Sequence, residues 1–282
     1  MAALPKYAAS LLYQRLGRKP PRPGVVRVPP PRVKLYESEY SRRLSVMLRQ
    51  WYDQIETIAR TELRGDARET LEDASRFEDQ IRAAFNALVR ASGLQDWLAR
   101  TGGRIANAQA TYTERVTKLP PAGNITGRQA LIETFRDENV RLVTRMGEDQ
   151  ITQLGNILRP AQAIGQRWEE IAPTIAERLG VGESRARLIA RDQTNKFNGS
   201  MQRLTQEASG VTEYVWSTSR DFAVRGRPGG VYAESQEDHW KLEGKIFRWV
   251  DPPLIPGTAE HAHPGERIQC RCVAIPRIPL FE

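Results

Sequence analysis

The sequence predicts an α+β protein: a mainly helical N-terminal region followed by a small C-terminal domain of helices packed on a short antiparallel sheet. Three observations carry this expectation. From Tyr40 to about residue 209, apolar residues recur at three- and four-residue steps, the period of a helix with one buried stripe. After Gly210 that period gives way to short runs of aromatic and β-branched residues set among Gly and Pro turns. The first 36 residues follow neither pattern. A chain of 282 residues has room for more than one structural unit. The composition shifts place the boundaries at 1–36, 37–159 and 160–282.

The first segment is a basic, proline-rich arm. It holds Lys6, Arg15, Arg18, Lys19, Arg22, Arg27, Arg32 and Lys34 and no acid before Glu37, so the whole net charge of +8 belongs to it. Seven of the 18 prolines lie here too, each removing a backbone donor and biasing its predecessor toward extended conformations. An extended, polyproline-like strap is expected over residues 17–35. Its charge fits either a solvated linker or an arm that docks on a polyanion or an acidic protein surface. The opening MAALPKYAASLLYQRL is basic and amphipathic like a transit peptide, but no signal-type apolar region or cleavage site follows, and import is not expected.

In the helical region, Leu44, Met47, Leu48, Trp51, Ile55 and Ile58 form one stripe of a helix ending near Gly65. A second helix runs through Phe77, Ile81, Phe85 and Leu88 to a stop at Gly93, and a third carries Leu94, Trp97, Leu98 and Ile105. Gly102-Gly103, Pro120-Pro121 and Gly123-Asn124 are expected to punctuate residues 102–126. Another helix spans about Gln129 to Leu158, closed by Pro160. Residues 161–209 read as two helices joined by a turn at Gly180-Val181-Gly182, with Ser184 as N-cap of the second. Strand candidates are Tyr214–Trp216, Ile246–Val250 and Val273–Ile275. No apolar run approaches the roughly 18 residues needed to span a bilayer.

Two motifs carry chemistry. Ile175, Ala176, Leu179, Gly180, Val181, Ala186 and Ile189 match the spacing of a DNA-binding helix-turn-helix, with Arg185, Arg187 and Arg191 offered to phosphates or base edges. Any tight helical corner needs the same small residue, turn glycine and apolar triad. The second motif is polar: His239, His261, His263, Cys270 and Cys272 are all the histidines and cysteines of the chain. Imidazole and thiolate are the ligands of a tetrahedral zinc site, and a structural zinc suits a small Pro/Gly-rich unit. The alternative is a hydrogen-bonded histidine beside two reduced, packed cysteines. Two cysteines cannot form a disulfide framework, which points to a reducing assembly site. A metal-dependent nuclease would draw on Asp221, Asp238 or Asp251. No paired-carboxylate or phosphate-loop motif supports catalysis, so no enzyme activity is expected.

Five segments then form an ordered set: ARLIARDQTNKFNG from Ala186, EYVWST from Glu213, DFAVR from Asp221, HWKLEGKIF from His239 and PGERIQCRC from Pro264. In that order they resemble the head-morphogenesis domain of the phage Mu F-like family, over residues 160–275. The resemblance implies a minor component of a tailed-phage virion, made in the host cytoplasm. Its implied partners are the portal protein, the major capsid protein and, through the arm, packaged DNA, with an oligomer on the portal ring and no membrane contact. It also implies a metal site, here His239, His263, Cys270 and Cys272 holding a structural zinc. Family members often carry a cysteine pair after the conserved Asp; in this chain Arg225 stands where one of them would be, and a Gly-rich insertion follows.

Overall fold

The computed structural model describes residues 13–19, 24–26, 28–62, 71–119, 127–163, 166 and 168–278. Among the described residues, the helices α1 (Lys34–Glu62), α2 (Leu71–Ala91), α3 (Leu94–Thr117), α4 (Arg128–Ala163) and α5 (Trp168–Ala208) precede most of an antiparallel sheet. Its strands are β1 (Gly24–Val25), β2 (Glu213–Ser217), β3 (Ile246–Arg248) and β4 (Val273–Ile278), in the order β1-β4-β2-β3. The α+β expectation holds. No helix among the described residues is long and apolar enough to cross a membrane.

The chain forms two compact units that interleave along the sequence. One takes residues 35–99 and 135–191 and is all helical. Its core is the α1 stripe (Tyr40, Leu44, Leu48, Trp51, Ile55) with Phe77, Ile81 and Phe85 of α2 and Met146, Ile151 and Leu154 of α4, all buried. The Trp51 indole donates to the Ile81 carbonyl at 2.9 Å, so its one polar group is satisfied inside the core. The Phe85 ring lies against Gly147, where any Cβ would overlap it.

The other unit gathers the described residues among 1–34 with 100–134 and 192–282. Here β2 pairs with β4 from Glu213↔Arg277 to Ser217↔Val273, and with β3 from Glu213↔Arg248 to Val215↔Ile246. The second half of α5 lays a buried polar stripe, Asn198, Gln202, Thr205 and Gln206, against the sheet. Gln202 accepts from the Ala274 N–H and Gln206 donates to the Ala274 carbonyl, each at 3.0 Å. These amides cap an edge of β4 that the two-residue β1 does not reach. Farther up α5, Gly199 lets the helix approach the Pro264-Gly265 turn; a Cβ there would sit 2.7 Å from the Pro264 carbonyl oxygen.

The described part of the arm is an intramolecular strap. Gly24 and Val25 pair with Ile278 and Arg277, Tyr112 donates to the Val28 carbonyl at 2.7 Å, and Gln109 donates to the Pro31 carbonyl at 3.2 Å.

Three sequence expectations need correction. First, α3 runs unbroken through Gly102-Gly103, because neither glycine adopts a left-handed conformation and the buried positions Ile105, Ala106 and Tyr112 keep helical spacing across them. Second, α4 passes Pro160 and ends at Ala163; a proline this close to the helix end removes a single backbone bond. Third, the turn expected at Gly180-Val181-Gly182 is helix: α5 is continuous over 41 residues. Neither Gly180 nor Gly182 has the positive φ that a turn would require. Without the turn there is no helix-turn-helix, and its three arginines are engaged elsewhere: Arg185 with Asp149 at 2.6 Å, Arg191 with Glu37 at 2.9 Å and Arg187 with the Ser184 hydroxyl.

Candidate metal centre

Cys270 and Cys272 sit immediately before and at the entry to β4. In extended chain, residues two apart project to the same side, so the Cys-x-Cys spacing directs both thiols inward while Arg271 turns out to meet Asp221 at 2.6 Å. The approach is shaped by Gln269, whose φ is +59° and whose N–H donates to Asp192 of α5 at 2.8 Å. His239 arrives from the opposite side, at the head of a 3-10 turn over Trp240–Leu242. That turn is held by Trp240 N–H donating to the Arg225 carbonyl and by Asp238 accepting from Lys241 N–H.

His239 Nδ1 lies 3.5 Å from Cys270 Sγ and 3.6 Å from Cys272 Sγ. All three side chains are buried, among Tyr214, Trp216, Leu242 and Trp249, with the Trp216 ring edge-on to the imidazole. A tetrahedral zinc with Zn–S near 2.3 Å and Zn–N near 2.0 Å sets N···S edges of about 3.5 Å. The two observed N···S edges match that spacing. The Gly265 N–H points at Cys270 Sγ from 3.4 Å, the contact that stabilises a thiolate. Bonding between the two thiols and to His239 pulls the Cys270 thiol well below its ordinary pKa, while the same bond, with burial, pushes Cys272 well above. A dication held here would take both sulfurs as thiolates.

On the far side of the imidazole, Nε2 faces Glu237 Oε2 at 3.4 Å. Burial disfavours the Glu237 carboxylate, but Arg267 at 2.5 Å and Arg225 hold it ionised, below the usual range. A carboxylate behind a ligating imidazole orients the ring and raises its basicity. Glu237 was not singled out in the sequence, although its place two residues before His239 is a readable signal. Arg225 supplies a second cationic partner of that carboxylate.

His263, the fourth ligand expected, is not part of this cluster among the described residues. Its Nδ1 meets the Tyr214 hydroxyl at 2.8 Å and its ring packs on Trp249 at 5.0 Å, with burial lowering its pKa. A tetrahedral ion here would have three protein ligands and one position for water or another donor. His261 is exposed. The acids considered for a nuclease do structural work: Asp221 accepts from Ala223 N–H and pairs with Arg271, Asp238 caps the 3-10 turn, and Asp251 is exposed.

Of the arm's bases, Lys6, Arg22 and Arg27 lie outside the described residues. Arg15 and Lys19 are exposed, Arg18 pairs with Glu114 at 3.3 Å, Arg32 donates to the Thr218 carbonyl at 3.0 Å, and Lys34 opens α1.

The fold and cluster define a helical protein whose sheet-bearing unit is built around a His-Cys-Cys centre. Residues 152–275 match the family described as Phage Mu protein F like protein, and the residues of the centre fall within that match. The chain is also 31% identical, over 138 residues, to an uncharacterized protein of Haemophilus influenzae. That match covers 49% of this chain, which spans about a quarter (27%) of the relative's length. No solved structure matches.

Proposed function

We propose that the chain is a minor component of a tailed-phage head, associated with the portal vertex and the procapsid interior, which supports assembly rather than catalysing a reaction. The Mu F-like match over residues 152–275 carries this reading. The arrangement of the centre agrees with it: the buried His-Cys-Cys group is enclosed by aromatic core, a setting for a structural ion, and the nearby acids serve turns and ion pairs. We assign zinc to His239, Cys270 and Cys272, with its role being to tie the β4 entry to the 3-10 turn in a unit with little sheet of its own. The portal and major capsid proteins are the partners. Gly24 and Val25 of the arm pair with β4, and the arm's bases are assigned to packaged DNA or the portal.

Co-expression with the portal protein of the same phage tests the reading. The chain should co-sediment with portal rings on a density gradient and be retained in procapsids. Sedimentation of all the chain as free protein, with heads of normal yield and infectivity in its absence, would refute it.

A further inference from the structure

We propose that the outward face of α3, from Arg100 to Lys118 just past its end, is a binding surface for the phosphate backbone of double-stranded nucleic acid. The proposal deepens the head-protein reading and rests on it only for the source of the nucleic acid.

Between Trp97 and Arg128 the sequence has five bases, Arg100, Arg104, Arg115, Lys118 and Arg128, against the single acid Glu114. At 100° per residue, Arg100, Arg104, Asn107, Thr111, Arg115 and Lys118 fall on one face of the helix. The structure places all six in solvent, while Ile105, Gln109, Tyr112 and Thr113 are buried on the other side. The lone acid is already neutralised, by Arg18 of the arm. That arm segment lies along the end of the helix: Arg18 donates to the Lys118 carbonyl at 3.0 Å and Tyr13 to the Thr117 carbonyl. It brings the exposed Lys19 alongside Arg115 and Lys118 around an open groove of about 560 Å³. Arg128, at the start of α4, reaches back to Asn107 on the same face.

The chemistry selects the ligand. From Arg100 to Lys118 the rise is about 27 Å, the length of roughly eight base pairs. Guanidinium forks match phosphate oxygens, and each neutralised phosphate releases condensed counterions, a gain that separated carboxylates on a protein surface do not supply. The aromatic rings nearest the face, Trp97 and Tyr112, are buried, so it offers no platform for stacked bases. It suits the outside of a duplex, read without sequence preference.

The test is fluorescence anisotropy of the full chain on a labelled 24-base-pair duplex over a salt series. Replacing Arg104, Arg115 and Lys118 together by Gln should weaken binding at least tenfold and flatten the log–log salt slope by about three. Replacing the exposed Arg90, Arg141 and Arg145 by Gln, an equal loss of charge from the other unit, should change affinity less than threefold. Circular dichroism checks that each variant is folded, and Arg104→Lys with Arg115→Lys, which keeps the charge, should retain most of the binding. The proposal is overturned if the wild type ignores the duplex at low salt, if the first triple variant binds like wild type, or if the control variant loses as much. It is equally overturned if polyglutamate displaces the duplex at equal charge, which makes an acidic protein the ligand. Portal co-sedimentation is read separately, so either result stands without the other.

Discussion

At the scale of single residues, Cys270, Cys272 and His239 are bound into one group by two N···S distances near 3.5 Å, and their chemistry makes the first prediction. Purified protein should hold close to one zinc per chain by elemental analysis, and Cys270→Ser or His239→Ala should reduce that to near zero and lower Tm, since each removes one of three protein ligands. His263→Ala, by contrast, should leave the zinc content unchanged, because this imidazole spends its Nδ1 on the Tyr214 hydroxyl. The second prediction concerns pH. Arg271 and the Ala223 N–H hold the Asp221 carboxyl below its ordinary value of 3.8, against the opposing effect of burial. The Thr218 and Arg220 bonds likewise hold Glu243 below 4.5, again against burial. Depressed folded-state values mean that their contribution to stability is complete above about pH 5 and is lost as pH falls through the folded values. Urea midpoints should therefore be flat in this contribution from pH 7 to 5 and fall below pH 4. In Asp221→Asn with Glu243→Gln that acid-side drop should shrink.

At the scale of elements, close approach decides more than propensity. Phe85 of α2 occupies the space over Gly147 of α4, so Gly147→Ala should destabilise the helical unit by about 1–3 kcal/mol, even though alanine is the better helix former. Gly103→Ala, in α3, meets open space and should be neutral or stabilising by up to about 1 kcal/mol. Denaturant unfolding of both variants checks the contrast, and equal effects would contradict it. These positions also show what was legible. The α1 stripe, the Gly93 stop and the strands at Tyr214 and Val273 were readable because burial on one face imposes a local period. The polar stripe of α5 was not. Gln202 and Gln206 look like solvent-facing residues of a helix, and only the uncapped backbone of Ala274 gives them a reason to be buried. The Gly180-Val181-Gly182 run misled for the converse reason: glycines permit a turn, but a helix accepts them at a cost of about 1 kcal/mol each when the flanking stripe stays in register.

At the scale of the whole molecule, the chain builds two units by passing between them repeatedly, with α3, α4 and α5 each contributing residues to both. A zinc held at β4 should protect the unit that contains it. On chelation, hydrogen exchange should rise most in residues 213–217, 239–248 and 270–278 and least in 40–55 and 77–88. A uniform rise across both sets would mean that the centre stabilises the chain in some other way.

The sequence by itself determined the helical body, the strand-rich end, the gathering of histidine and cysteine, and the order of segments that resembles a Mu F-like domain. Each depends on local spacing or on the order of residues, which a linear string records directly. The tertiary structure decided which histidine joins the two cysteines, that α5 does not turn, that the proline-rich arm completes the sheet as a strap, and that the basic face of α3 lies in solvent. Those outcomes depend on which distant groups satisfy one another once water is excluded. His239 is about 30 residues from Cys270 in the chain but 3.5 Å away in space, and His263, only seven residues from Cys270, is held instead by a tyrosine hydroxyl.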